Sequence, residues 1–141
     1  MKVLVSACLL GENCKYSGGN NLDLRVVEWL QREGHEAVPV CPEVLGGLPV
    51  PRMPAEIVDG VVTAKDGRNV DGEFRRGAKL ALERAGSEGA RLAVLQPRSP
   101  SCGVKQIYDG TFTGRRMDGQ GIFARLLIES GLQVLEPGDL R

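Results

Sequence analysis

Histidine is almost missing from this chain of 141 residues, which has one, His35. A His-rich metal site is excluded, and a Cys–His or Ser–His catalytic pair would have to use that single residue. Aromatic residues make up only 4%, too few for the stacked platform on which proteins hold single-stranded nucleic acid. Neither sign of charge prevails, since 18 Lys and Arg balance 18 Asp and Glu. Proteins that coat nucleic acid carry one dominant basic face, so nucleic acid is disfavoured as a partner. A pocket for one modified base stays open, whether the base is free, in a nucleotide or in tRNA. No apolar run is long enough to span a bilayer. The apolar start, Met1 to Gly11, is too short for a signal peptide and has no small-residue cleavage site behind it. A cytoplasmic protein with no membrane partner is expected, and nothing in the sequence speaks to oligomeric state. Cys-x-x-Cys pairs, the usual signature of structural zinc or of a thioredoxin-like redox site, are absent as well.

What is present is ordinary in bulk and unusual in arrangement. Hydrophobic residues at 42% and charged residues at 26% describe a globular protein able to bury a core without disulfide staples. Strand and helix patterns alternate. Lys2 to Ser6 reads as a strand, about Leu22 to Glu33 as a helix capped by Asn20 or Asn21, and Glu36 to Val40 as a second strand. Glu56 to Thr63 reads either as a hairpin around Asp59-Gly60 or as an irregular excursion over the sheet edge. A helix follows over about Asp71 to Ala85, then a strand over Arg91 to Leu95. A helix over roughly Gln120 to Ser130 and a last strand over Leu132 to Leu135 close the chain. This alternation predicts a single α/β domain over residues 1–141, a three-layer Rossmann-like fold with a mostly parallel sheet. Three loops, Ala7–Asn21, Cys41–Pro54 and Gln96–Gly119, are long enough to suggest function.

The four cysteines fall in those loops. Cys8 lies just past the first strand, Cys41 directly after the second, and Cys102 in the loop after the third. In an open parallel sheet the C-terminal strand ends share one edge, where ligands bind. Three thiols from distant segments are therefore expected to converge. One buried free thiol is a common core residue; three, each following a strand in loops rich in Gly, Pro and Ser, point to a metal or to catalysis. Thiolates are soft ligands suited to zinc, Cu(I) or iron–sulfur clusters. Three ligands on a four-iron cluster would leave one iron open as a Lewis acid. Cys14 is open to structural, ancillary or redox roles. If it joins the others, a non-catalytic sensor or sulfur-carrier module using all four cysteines becomes the alternative to an enzyme. A redox pair of Cys8 and Cys14 is a third reading, with no nearby His to lower a thiol pKa.

The same loops carry polar groups. Glu43, two residues from Cys41, can share its crevice and move protons. Arg52 can bind an anion or pair with an acid. Ser99 and Ser101 flank Pro100 beside Cys102, and either hydroxyl can donate to a substrate or to a cluster sulfur. Tyr108-Asp-Gly-Thr-Phe-Thr-Gly carries hydroxyls and turns. The N-terminus of the last helix, after Gly119 and Gly121, can bind an anionic group.

Read together, Val5-Ser-Ala-Cys-Leu-Leu-Gly-Glu-Asn-Cys-Lys-Tyr-Ser-Gly, Cys41-Pro-Glu-Val-Leu-Gly-Gly-Leu-Pro-Val-Pro-Arg, Ser99-Pro-Ser-Cys-Gly and Ile107-Tyr-Asp-Gly-Thr-Phe resemble a bacterial family long known as a domain of unknown function. That family includes the iron–sulfur-dependent 2-thiouracil desulfidases. The resemblance runs through nearly the whole chain in the same order. It implies a 4Fe-4S cluster held by Cys8, Cys41 and Cys102, with the sulfur of a small thiolated base bound to the free iron. It also implies a hydrolytic, non-redox reaction assisted by Glu43 and Ser99, with Ser101 a nearby alternative. Where family members commonly carry a Lys ahead of the Ser-Pro-Ser-Cys motif, this chain has Gln96, with Arg98 nearby.

Overall fold

The computed structural model describes all 141 residues. Its centre is a four-stranded sheet built from β1 (Lys2–Ser6), β2 (Glu36–Val40), β5 (Leu92–Val94) and β8 (Gln133–Leu135). The spatial order is β2-β1-β5-β8 and every pairing is parallel. Strand β1 is central, and its Val3, Leu4 and Val5 are fully buried, as a strand covered on both faces must be. Val3 and Val5 pack with Val26 and Leu30 of α1 (Leu24–Glu33) on one face. Leu4 packs on the other with Ala78 and Ala81 of α3 (Asp71–Glu88) and with Phe123 and Leu127 of α4 (Ile122–Glu129). Each such large side chain contributes about 1.5–3 kcal/mol when fully buried. The result is the expected three-layer α/β arrangement.

The remaining elements lie outside the sheet. The segment around Asp59-Gly60 forms an antiparallel hairpin of β3 (Ala55–Val58) and β4 (Val61–Ala64). Asp59 and Gly60 have φ of 49° and 79°, the left-handed pair that a two-residue turn matched to strand twist requires. Two of the expected loops hold short elements. A one-turn helix α2 (Pro42–Leu45) follows β2 directly, with Pro at its first turn and Glu43 beside it. Both residues favour a helix start. A second hairpin, β6 (Gln106–Tyr108) with β7 (Arg116–Asp118), lies within the Gln96–Gly119 segment. Its strands have three residues each and β7 is wholly exposed, so no apolar alternation marks it. Helix α1 begins two residues later than expected. Asp23 caps it, not Asn20 or Asn21, by accepting the Arg25 amide at 3.0 Å. Leu22 is consequently outside the helix and exposed.

Candidate active site

Each of the three strand-end cysteines is delivered by its own short device. After β1 the chain tightens into a 3-10 turn over Ala7–Leu10 that buries Cys8. After β2, Cys41 is the residue preceding α2, so Glu43 falls in that helix's first turn. After β5, the Ser99-Pro-Ser-Cys turn is fixed by Ser99, whose Oγ accepts the amides of Ser101 at 3.1 Å and Cys102 at 3.0 Å. Because β1 is flanked by β2 and β5, the three thiols reach one cavity of about 450 Å³. Cys8, Cys41, Cys102, Glu43, Ser99 and Ser101 all line it. Cys14 lines it too, and Cys41 Sγ donates to its carbonyl oxygen at 3.7 Å. Its partner is thus Cys41 and not Cys8. His35 lies elsewhere, packed on Trp29.

A continuous polar chain crosses the site. Arg52 Nε donates to Glu43 Oε1 at 3.1 Å, and its Nη2 stands 3.0 Å from the same oxygen in the ion pair. Ser101 Oγ donates to Glu43 Oε2 at 2.8 Å, and Ser99 Oγ stands 2.9 Å from Ser101 Oγ. A hydroxyl has one proton. Ser101 spends its proton on Glu43, so Ser99 donates to Ser101. The ion pair is sequestered, with side-chain exposures of 5% for Arg52 and 15% for Glu43. Arg52 also donates to the carbonyls of Cys14 at 2.9 Å and Pro49 at 3.2 Å. It therefore lashes the first cysteine loop to the second. Of its two expected roles, pairing with an acid is the one observed.

Electrostatics separate the thiols. Burial pushes Cys102 up, opposed by the Ser6 hydroxyl and by the Ser101 hydroxyl, which stands 3.7 Å from its sulfur. Burial also raises Cys8, opposed by the Asn21 amide at 3.8 Å from its sulfur. Cys41 is brought down to about 7, chiefly because the Cys14 thiol hydrogen-bonds to its sulfur and against burial, while Cys14, the donor between the two side chains, is pushed up. Buried thiols of this kind give up their protons when a cation binds them. No three His, Cys, Asp or Glu groups approach closely enough to share a single metal ion. The cysteines instead line the cavity of about 450 Å³, and soft donors on the wall of a space that size suit an iron–sulfur cluster. Four basic side chains line the cavity, Lys15, Arg52, Lys65 and Arg98, against two acidic ones, Glu43 and Glu56. That excess of two positive charges offsets part of the charge three thiolates would bring.

The sequence model of the 2-thiouracil desulfurase family matches residues 3–138. The chain belongs to the 2-thiouracil desulfurase family. Among relatives, the uncharacterized protein YbbK of Bacillus subtilis strain 168 is 36% identical, over 98% of this chain and 97% of its own length. Among solved structures, the 4Fe-4S-dependent thiouracil desulfidase TudS superposes with a TM-score of 0.92 at 44% identity, covering 99% of this chain and 92% of that one. In this family member the helix α4 N-terminus is not an anion site. Its Ile122, Phe123 and Ala124 amides donate to the carbonyls of Pro100 and Ser101, which anchors the Cys102 turn instead. Sequence reasoning had no means of finding Asn21, Ser6 or Glu56 as site residues. Ser6 stands inside the Cys8 motif but at the end of a strand with nothing to mark its hydroxyl, Asn21 lies 13 residues beyond Cys8 with no spacing rule, and Glu56 lies on a hairpin remote in sequence.

Proposed function

We propose that this chain is a 4Fe-4S-dependent, non-redox desulfidase that hydrolyses a thiolated pyrimidine such as 2-thiouracil or a related thioamide. The supporting observation is the convergence of Cys8, Cys41 and Cys102 on one cavity with the Arg52–Glu43–Ser101–Ser99 chain on its wall. Family membership and the likeness to TudS point the same way. Cys8, Cys41 and Cys102 would hold the cluster, which when bound supplies an open iron as Lewis acid for a soft thiocarbonyl sulfur. Water adds its oxygen to the ring carbon, the carbon–sulfur bond breaks, and carbonyl product and sulfide result with no net change of oxidation state. Glu43 accepts the proton of the attacking water at its Oε2 face. Ser101 holds that carboxylate and keeps one lone pair for a substrate N–H. Ser99 is saturated by two amides and the Ser101 oxygen, so its part is to fix the turn. Arg52 orients Glu43.

The test is anaerobic reconstitution with assay of iron, acid-labile sulfide and sulfide release from 2-thiouracil. About four iron and four sulfide per chain are expected for a cubane held by cysteines, and Cys41→Ala should lose both cluster and turnover. A single tightly bound zinc without labile sulfide, or full activity without cluster, overturns the reading. Cys14→Ser separates the alternative carrier module: loss of all metal favours that reading, whereas retained cluster and turnover favour the enzyme.

A further inference from the structure

The chain has six aromatic residues, three Phe, two Tyr and one Trp. Phe74 and Phe123 are core residues, and Trp29 packs on His35. The other three, Tyr16, Tyr108 and Phe112, line the cavity. Half the aromatic complement of an aromatic-poor protein thus faces one space. Phe112 is the most constrained of the three. Its φ is 58°, in the left-handed region, which a bulky side chain adopts only where its surroundings impose it. No core cluster contains Phe112, so core packing does not explain the strained backbone.

What imposes it is visible. Glu56 Oε1, on β3, accepts the amides of Gly110 at 2.9 Å and of Phe112 at 3.2 Å. Gly110 lies so close to β3 that a Cβ there would stand 2.6 Å from the Ile57 carbonyl oxygen. Within the loop, Asp109 Oδ1 accepts the Thr111 amide at 3.0 Å and its hydroxyl at 2.6 Å. The hairpin β3–β4 thereby clamps the Tyr108-Asp-Gly-Thr-Phe segment to the cavity wall. A planar heteroaromatic ring gains most from an aromatic face, because stacking is tolerant of ring identity and needs no hydrogen-bond match.

We infer that Phe112 is the stacking face for the ring of the thiolated base, and that Glu56 is the positioning residue that holds it there through the Gly110 and Phe112 amides. The inference rests on the desulfidase reading for its substrate. In the reconstituted protein, Phe112→Ala should raise KM for 2-thiouracil roughly ten- to a hundred-fold, the range seen when a base loses its aromatic partner. The dissociation constant of uracil, the sulfur-free ring, should weaken by a similar factor, with kcat and the visible spectrum of the cluster far less affected. Phe112→Tyr should restore both constants and Phe112→Leu should not. Glu56→Ala should raise KM likewise and speed hydrogen–deuterium exchange at Gly110 and Phe112, while Glu56→Gln, which keeps the acceptor oxygen, restores both. Unchanged KM in Phe112→Ala, full restoration by Leu, or undiminished amide protection in Glu56→Ala overturns the inference and leaves the desulfidase reading intact. A wild type that binds the ring yet releases no sulfide overturns that reading alone, and the affinities of the variants still decide the role of Phe112. A wild type that binds neither ring overturns both.

Discussion

Glu43 carries more of the proposed chemistry than any other single residue, and its surroundings explain how one carboxylate can both be held and act. Oε1 is committed to Arg52 and Oε2 to the Ser101 hydroxyl. A carboxylate oxygen has lone pairs for more than one donor, so Oε2 can take a proton from water while Arg52 keeps the group oriented. Glu43→Gln preserves an acceptor oxygen for Arg52 but removes the base. Turnover should fall by about 10²–10⁴, the usual contribution of a positioned general base, with iron content unchanged. Steady-state sulfide release alongside an iron assay checks this, and wild-type turnover would remove Glu43 from the mechanism. Removing Arg52 is a cruder probe, because it strands a sequestered carboxylate and costs about 3–5 kcal/mol of stability.

Among the elements, α2 is the smallest and the most dependent on its neighbour. It has four residues and no side-chain cap, too short to be stable alone. It is held by direct backbone contact with α3 where Gly46 and Gly77 meet. A Cβ on Gly77 would overlap the Pro42 carbonyl oxygen, and one on Gly46 would overlap that of Glu73. Arg76 of α3 adds two hydrogen bonds to the Gly46 carbonyl, at 3.3 and 2.9 Å. The contact sets where Cys41 and Glu43 stand relative to the sheet. Gly77→Ala should therefore cost about 1–3 kcal/mol, as overpacking against an unyielding neighbour does, and should lower iron retention. Gly86, on the same helix with open space around its Cα, is the control. Its replacement by Ala should stabilise by about 0.5–1 kcal/mol through helix propensity. Urea midpoints and iron per chain distinguish the two; equal behaviour would show that the close approach is unimportant.

For the molecule as a whole, the three cysteines proposed as cluster ligands follow three adjacent strands, β2, β1 and β5. A cluster bound to all three ties together segments from Cys8 to Cys102, and the unfolded chain cannot hold it in that geometry. Binding to the folded state alone raises stability by mass action. Anaerobic removal of the cluster by a chelator should lower the melting temperature by about 5 °C or more, given roughly 2–4 °C per kcal/mol for a domain of this size. Scanning calorimetry before and after chelation reads the shift, and an unchanged transition would mean that the three thiols do not share one ligand. No helix is long and apolar enough to cross a membrane.

Local pattern carried a large part of this description. The alternation of strands and helices, with apolar residues at matching periods, was enough to place Cys8, Cys41 and Cys102 after strands, and parallel topology put those strand ends on one edge. The Asp59-Gly60 pair carried the hairpin in the same way, because a left-handed turn needs such residues. Short elements escaped: α2 has one turn and β7 has no buried face, so neither leaves a period to read. Side-chain partnerships escaped for a different reason. Ser101 and Glu43 are 58 positions apart, and whether Ser99 or Ser101 meets the carboxylate depends on the path of a turn anchored by α4. Arg52 could have faced solvent or an anion; the route of its loop past Cys14 turned it onto Glu43. Glu56 and Phe112 likewise meet only because two hairpins pack together. Residue order fixes which groups are available and which strand end each one follows, since those depend on neighbours along the chain. Which of them touch depends on how loops pack across the sheet edge, and that is settled by contacts between segments far apart in sequence.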